Sequence, residues 1–135
     1  MSWSQSLIKL ATYEVEMLQK RLAEVRDRRA AAEMKLAVLE AQGLAEMARA
    51  DADPMAGMHL AAFMAALRER KDAQRADIAA LELEEQGARD ALAAAFEEQK
   101  KYEQVAEQAR LLEVKERTRR ETAALDEIGL RRAAR

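Results

Sequence analysis

Proline occurs once in this 135-residue chain, at Pro54 in Asp51-Ala-Asp-Pro-Met-Ala-Gly57, and the residues on both sides of it favour helix. Proline suits the first position of a helix, where its missing N–H costs nothing, and breaks a helix from within. The chain is therefore expected to consist of two unequal helical arms around one bend. Composition agrees: 31 residues are alanine, 36% are charged, glycine totals 4 and aromatics amount to 4%. Alanine with Glu, Lys, Arg and Leu is a strong helix-forming mixture. Alanine buries little area per residue, so the apolar material belongs in a seam between long helices and not in a globular core.

That seam is visible as a heptad. From Ile8 the apolar positions advance by alternating steps of three and four, through Ala11, Val15, Leu18, Leu22, Val25, Arg29, Ala32, Leu36 and Leu39; only Arg29 is polar. A 3.5-residue spacing held this long is the signature of a coiled coil. Ser2, Ser4 or Ser6 suits a helix cap at the start. After Leu39 the pattern blurs through Gly43, Leu44 and Met47, and then Asp53 suits an N-cap and Pro54 a first helical position. A second stripe runs from Leu60 through Phe63, Leu67, Lys71, Gln74, Ile78, Leu81, Glu85, Ala88, Leu92, Ala95, Gln99, Tyr102 and Ala106 to Ala109. Folding the chain at Pro54 pairs residues whose numbers sum to about 110, placing Leu22 near Ala88 and Ile8 near Tyr102.

In that register the first arm is used up near Tyr102 to Ala106, and the apolar frame changes there, resuming as Leu111, Val114, Thr118, Glu121, Leu125 and Ile128. The expected fold class is all-α: two long helices in an antiparallel coiled-coil hairpin with a C-terminal helical overhang. Its first arm covers about residues 5–50, the bend 51–58, the second arm 59–106 and the overhang 107–130, ending at Gly129. An isolated helix of about 40 Å is marginal in water, so i,i+4 pairs such as Glu116–Arg120 and a partner are expected to support it.

Charge is divided by segment: about +1 over residues 1–50, about −6 over 51–109 and about +3 over 110–135, for a net of −2. This balance gives no general reason to expect nucleic-acid binding, and the basic run Lys115-Glu-Arg-Thr-Arg-Arg120 has acids within it and no interleaved aromatics for stacking. The absence of cysteine excludes disulfides and thiolate metal sites. The N-terminus lacks a signal-peptide pattern and the longest uncharged run, Pro54 to Leu67, is too short to span a membrane, so a cytoplasmic protein is expected.

Little supports catalysis. His59, the sole histidine, has no Glu-x-x-His partner and reads as a surface residue, and no Gly-rich phosphate loop occurs. No catalytic, cofactor-binding or metal-binding residue is expected. The methionines near the bend (Met47, Met55, Met58, Met64), with Phe63, are the most suggestive local feature, because flexible Met-rich surface accommodates partners. Phe63 falls on the seam, whereas Met64 beside it is expected to face outward; the alternative is that these residues simply close the tip of the hairpin. Trp3 reads as a hydrophobic contact at the hairpin base.

The arrangement resembles a known family, the flagellar export protein FliJ and the YscO-like stalk proteins of injectisomes. The resemblance rests on Ser6-Leu-Ile-Lys-Leu-Ala11, Ala32-Glu-Met-Lys-Leu-Ala-Val-Leu39, Phe63-Met-Ala-Ala-Leu67, Glu98-Gln-Lys-Lys-Tyr-Glu103 and Ala124-Leu-Asp-Glu-Ile128. It implies a non-enzymatic stalk similar to the shaft of rotary ATP synthases. Such a stalk couples a hexameric export ATPase to the cytoplasmic domain of the export gate and escorts export chaperones. Its place is in the cytoplasm at the flagellar base, on the membrane only through its partners. By position, Leu39, Phe63 and Leu67 match gate-contacting residues, and Gln42 and Glu46 fall where some members carry aromatics. Arg117, Arg119, Arg120, Arg131 and Arg132 resemble the end that enters the ATPase ring. The competing reading is a structural coiled-coil scaffold that self-associates through its C-terminal helix.

Overall fold

The computed structural model describes residues 3–134, and all its described elements are helices: α1 (Trp3–Ala52), α2 (Pro54–Gly57) and α3 (Leu60–Ala133). No strand occurs among the described residues. Asp53 has extended backbone (φ −138°, ψ 111°), and its side chain accepts a hydrogen bond from the Met55 N–H at 3.0 Å, with Pro54 at the first helical position. The break thus has the chemistry expected of an N-cap. It is tight, because the Asp53 N–H still donates to Arg49 O at 3.0 Å and α3 begins at once, with the Phe63 N–H donating to His59 O at 3.0 Å. No described residue has a positive φ.

Two helix ends differ from expectation. The helix α1 already includes Trp3, so Ser4 and Ser6 lie inside its first turns instead of capping it, and Ser2 lies outside the described residues. At the other end α3 runs through Gly129 to Ala133. Gly129 lacks the positive φ that a glycine stop would adopt, and a helix with no competing packing simply continues.

The chain groups into two compact units, Glu16–Ala93 and, separately, residues 1–15 with 94–135. In the first, the core is a single seam of α1 against α3. Partner numbers along α3 fall as those along α1 rise: Arg21 meets Glu84, Ala32 meets Gln74, and Gly43 meets Leu67. The two most enclosed large side chains are Val25 and Leu67, each 1% exposed. In the second unit, Ala11, Val15 and Ala95 are buried, and Gln99 Nε2 donates to Thr12 Oγ1 at 3.0 Å.

All ten expected α1 positions from Ile8 to Leu39 are buried or half-buried, and of the α3 stripe only Ala109 is exposed. Contrary to expectation, the α1 heptad does not blur after Leu39. It continues through Gly43, Glu46 and Ala50, which are buried or half-buried, while Leu44 and Met47 point to solvent. Hydrophobicity misleads here because the close approach requires a small residue. A Cβ on Gly43 would lie 2.8 Å from Leu67 Cδ2, closer than packed carbons approach. At Gly57 no such constraint holds: a Cβ there would stand 3.8 Å from Ala50 O, an ordinary contact.

The seam of the Glu16–Ala93 unit also holds one buried carboxylate. Glu85 is 4% exposed, and its oxygens accept from Arg26 Nε (3.2 Å), Arg29 Nη1 and Arg89 Nη2 (3.0 Å). Glu84 beside it accepts from both Arg21 and Arg28 at 3.0 Å. Arg29 also reaches Glu33 at 3.1 Å. The hydrogen bond from Arg29, aided by Arg26 and by the field of Arg89, holds the Glu85 carboxyl below its ordinary range against the opposing effect of burial.

Two outcomes are expected. A Cβ added at Gly87 would meet nothing within 4 Å, so Gly87→Ala should stabilise the helix by about 1 kcal/mol, as alanine does in a helix interior. Gly43→Ala should lose that gain against the Leu67 contact, and the difference in urea midpoints reads the cost of the close approach. For Glu85, a depressed folded value means its contribution is present above the ordinary carboxyl range and is lost as pH falls through the folded value. Glu85→Gln should therefore melt below the parent at pH 7, and the gap should narrow as the pH falls through the depressed folded value of Glu85.

Candidate partner-binding surfaces

The bend end is built from three elements. Leu39 on α1 and Phe63 on α3 are half-buried, so each shows part of its side chain. Leu67 is enclosed over Gly43, so a direct partner contact would require the seam to open; as it stands, Leu67 sets how closely the helices approach beneath its neighbours. Met64 turns towards the seam, with its Cε 3.9 Å from the same Gly43 position, instead of facing outward. Met55 and Met58 are the exposed methionines of the bend, each 73% accessible. Gln42 is exposed and Glu46 half-buried, with Arg49 Nη1 3.5 Å from the Glu46 carboxylate. His59 is exposed beside the break.

One surface escaped the sequence reading. Met34, Val38 and Leu39 on α1 and Ala73 on α3 line an open apolar groove of about 480 Å³, with Lys35 and Arg70 among its walls. Met34 and Val38 are exposed because they sit off the heptad seam. Their i,i+4 spacing on the outer face of α1 was the signal available.

The C-terminal arginines are placed quite differently. Beyond Ala106 every described residue is exposed except Glu116, which is half-buried. Arg119 makes two bonds to the Glu116 carboxylate (2.7 and 3.0 Å), Arg120 joins it at 3.3 Å, and Arg131 is held by Glu127 at 3.0 Å. Arg117 and Arg132 have no carboxylate within 4.0 Å among the described residues. The Arg119 hydrogen bond pulls the Glu116 carboxyl down, as Arg110 does for Glu107. Trp3, expected as a contact, is instead 65% exposed.

No group of three or more His, Cys, Asp or Glu able to hold a metal occurs among the described residues, and no helix is long and apolar enough to cross a membrane.

These features define an all-α protein of long helices, fitting a coiled coil. The sequence model of the family described as Flagellar FliJ protein matches residues 5–135. Two relatives, both named Flagellar FliJ protein and from Caulobacter vibrioides strains NA1000 / CB15N and ATCC 19089 / CIP 103742 / CB 15, are each 46% identical over 132 residues. Those alignments cover 98% of this chain and 95% of the relative. The chain belongs to the FliJ family, a family of flagellar proteins. No solved structure matches it.

The burial of Leu67 has a measurable consequence. Leu67→Ala should destabilise the chain by about 2–5 kcal/mol, the range for emptying an enclosed leucine site, whereas Met55→Ala at the exposed bend should change the urea midpoint little.

Proposed function

We propose that this chain is a non-enzymatic stalk and chaperone-escort protein of the flagellar type III export apparatus, coupling the export ATPase ring to the export gate. In this reading α1 and α3 form an antiparallel coiled-coil hairpin, and residues 107–130 continue as an overhang. The hexameric ATPase and the cytoplasmic domain of the gate are its principal partners, with export chaperones as cargo. It works in the cytoplasm at the flagellar base and meets the inner membrane only through those partners.

The observation that carries the reading is the presence of two adhesive surfaces of opposite character on one family member. One is an apolar groove beside Leu39, with Phe63 half-exposed on α3. The other is an uncovered basic helix bearing Arg117, Arg119, Arg120, Arg131 and Arg132. The falling register of partners along α3 supports the hairpin. The mechanism is differential contact: a stalk biases ATPase and gate only to the extent that it binds one state of each better than another. Gate contact is assigned to Leu39 and Phe63, with Leu67 positioning them from the seam; ATPase contact is assigned to the arginines.

The test is separate titration of the purified chain with the export ATPase and with the gate cytoplasmic domain of its own organism. Phe63→Asp should abolish gate binding and leave ATPase binding and helicity unchanged. Loss of helicity in that variant would assign Phe63 to the seam alone, and binding of neither parent component at tens of micromolar would refute the stalk.

A further inference from the structure

The methionines of the bend belong neither to the seam nor to the surfaces assigned above. Met55 and Met58 are each 73% exposed, more than any other methionine among the described residues. His59, the sole histidine of the chain, is exposed directly after them. Apolar side chains exposed singly are common, but two thioethers grouped with an imidazole are a set of metal donors.

Spacing and backbone put the three groups on one face. Pro54–Gly57 is a helical turn, Met58 keeps right-handed helical backbone (φ −62°, ψ −28°), and its N–H donates to Met55 O at 3.4 Å. Met55, Met58 and His59 therefore stand at i, i+3 and i+4, positions whose Cβ atoms are about 5–6 Å apart on a helical surface. Methionine is unbranched with three rotatable bonds, so both sulfurs and one imidazole nitrogen can converge on a point above the turn. The turn is already held in place: Asp53 Oδ1 accepts from the Met55 N–H at 3.0 Å, and Asp53 O accepts from the N–H groups of Ala56 and Gly57 at 3.1 and 3.3 Å. A backbone fixed beforehand leaves less to order when a ligand binds.

The donors specify the ion. Soft thioether sulfur with imidazole favours Cu(I), whereas harder divalent ions favour oxygen ligands. Asp53 Oδ1 is engaged by its cap, and the chain has no cysteine to supply a thiolate. A neutral donor set of this kind suits a monovalent cation, which carries less charge to be balanced. Met17, Met34 and Met47 lie far apart along α1, and Met64 turns towards the seam, so the bend is where two thioethers share one helical turn.

We propose that Met55, Met58 and His59 form a binding site for a soft monovalent metal ion, Cu(I), at the bend. Met55 lies on α2, and Met58 and His59 join α2 to α3, so the bound ion ties the two helices together and stiffens the break. Neither the export ATPase nor the gate enters this chemistry, and the site stands or falls apart from the stalk reading.

The experiment titrates the full-length chain, under nitrogen with ascorbate, against Cu(I) held by a chromophoric Cu(I) chelator, and repeats the titration with Ag(I), a redox-inert ion of the same preference. The parent should withdraw one ion per chain. Met55→Leu/Met58→Leu keeps side-chain size and helix propensity and should weaken binding at least tenfold, and His59→Gln at least threefold. Met34→Leu should stay within twofold. Excess Zn(II) should not displace the ion, and amide exchange from Ala56 to His59 should slow when Cu(I) is bound. Unchanged affinity in the Met55/Met58 variant, or no uptake by the parent at tens of micromolar, overturns the site.

Discussion

A seam rich in alanine has little shape to tell one register from the next, so a polar constraint must do it. In the Glu16–Ala93 unit that constraint is Glu85, buried between helices with Arg26 and Arg29 reaching it from α1 and Arg89 from its own helix. Sliding α3 by one heptad would set the carboxylate where Leu22 or Leu36 stands in place of Arg29, leaving a buried charge without its partners. That penalty exceeds anything small apolar contacts would recover. The pair need not add net stability relative to a leucine layer; its consequence is selection of one register. With that register set, Gly43 falls under Leu67, and a Cβ at that position would oblige the Leu67 side chain to shift.

A thin seam also shapes the surface. With about one side chain per turn spent on the seam, most of the remaining positions are exposed, and most carry charge or alanine. Some arginines turn inwards across the seam, as Arg21 and Arg28 do to Glu84; others pair along their own helix. Exposed pairs of the second kind add little stability each. Their effect is to neutralise some cations and leave others, such as Arg117 and Arg132, unpaired. Specific adhesion then depends on a few positions that break the general pattern, the Met34–Val38 groove among them.

Periodicity made most of the fold legible. The three-four spacing from Ile8 to Leu39 identified the buried face of α1, and Asp53-Pro54 located the break with its cap. Gly43, Glu46 and Ala50 were missed because the spacing continued while the hydrophobicity did not; a register of steps is more informative there than residue type. The end of α3 was misjudged for the converse reason, since Gly129 permits a stop without imposing one. The surfaces were less legible. Leu67 lies in the seam, as its place on the stripe required, whereas Trp3 looked like packing yet is exposed, because a linear pattern assigns a face without saying what covers it.

Cover is what distinguishes the two halves of α3. Up to Ala106 its stripe is buried or half-buried; beyond it a three-four spacing resumes at Leu111 with its apolar members exposed. The polar members follow suit. Glu85 sits on the covered stripe and is ringed by arginines, whereas Glu121 sits on the uncovered one and has no cation within 4.0 Å among the described residues. A chain that needed this segment only as a solvated tail would have no use for Leu111, Val114, Leu125 and Ile128 at heptad spacing, since polar helix formers would hold the helix as well without exposing apolar area. The same spacing thus carries opposite surroundings in the two stretches: apolar layers with a donor for the carboxylate between them where it is covered, and exposed apolar side chains with an unpaired carboxylate where it is not.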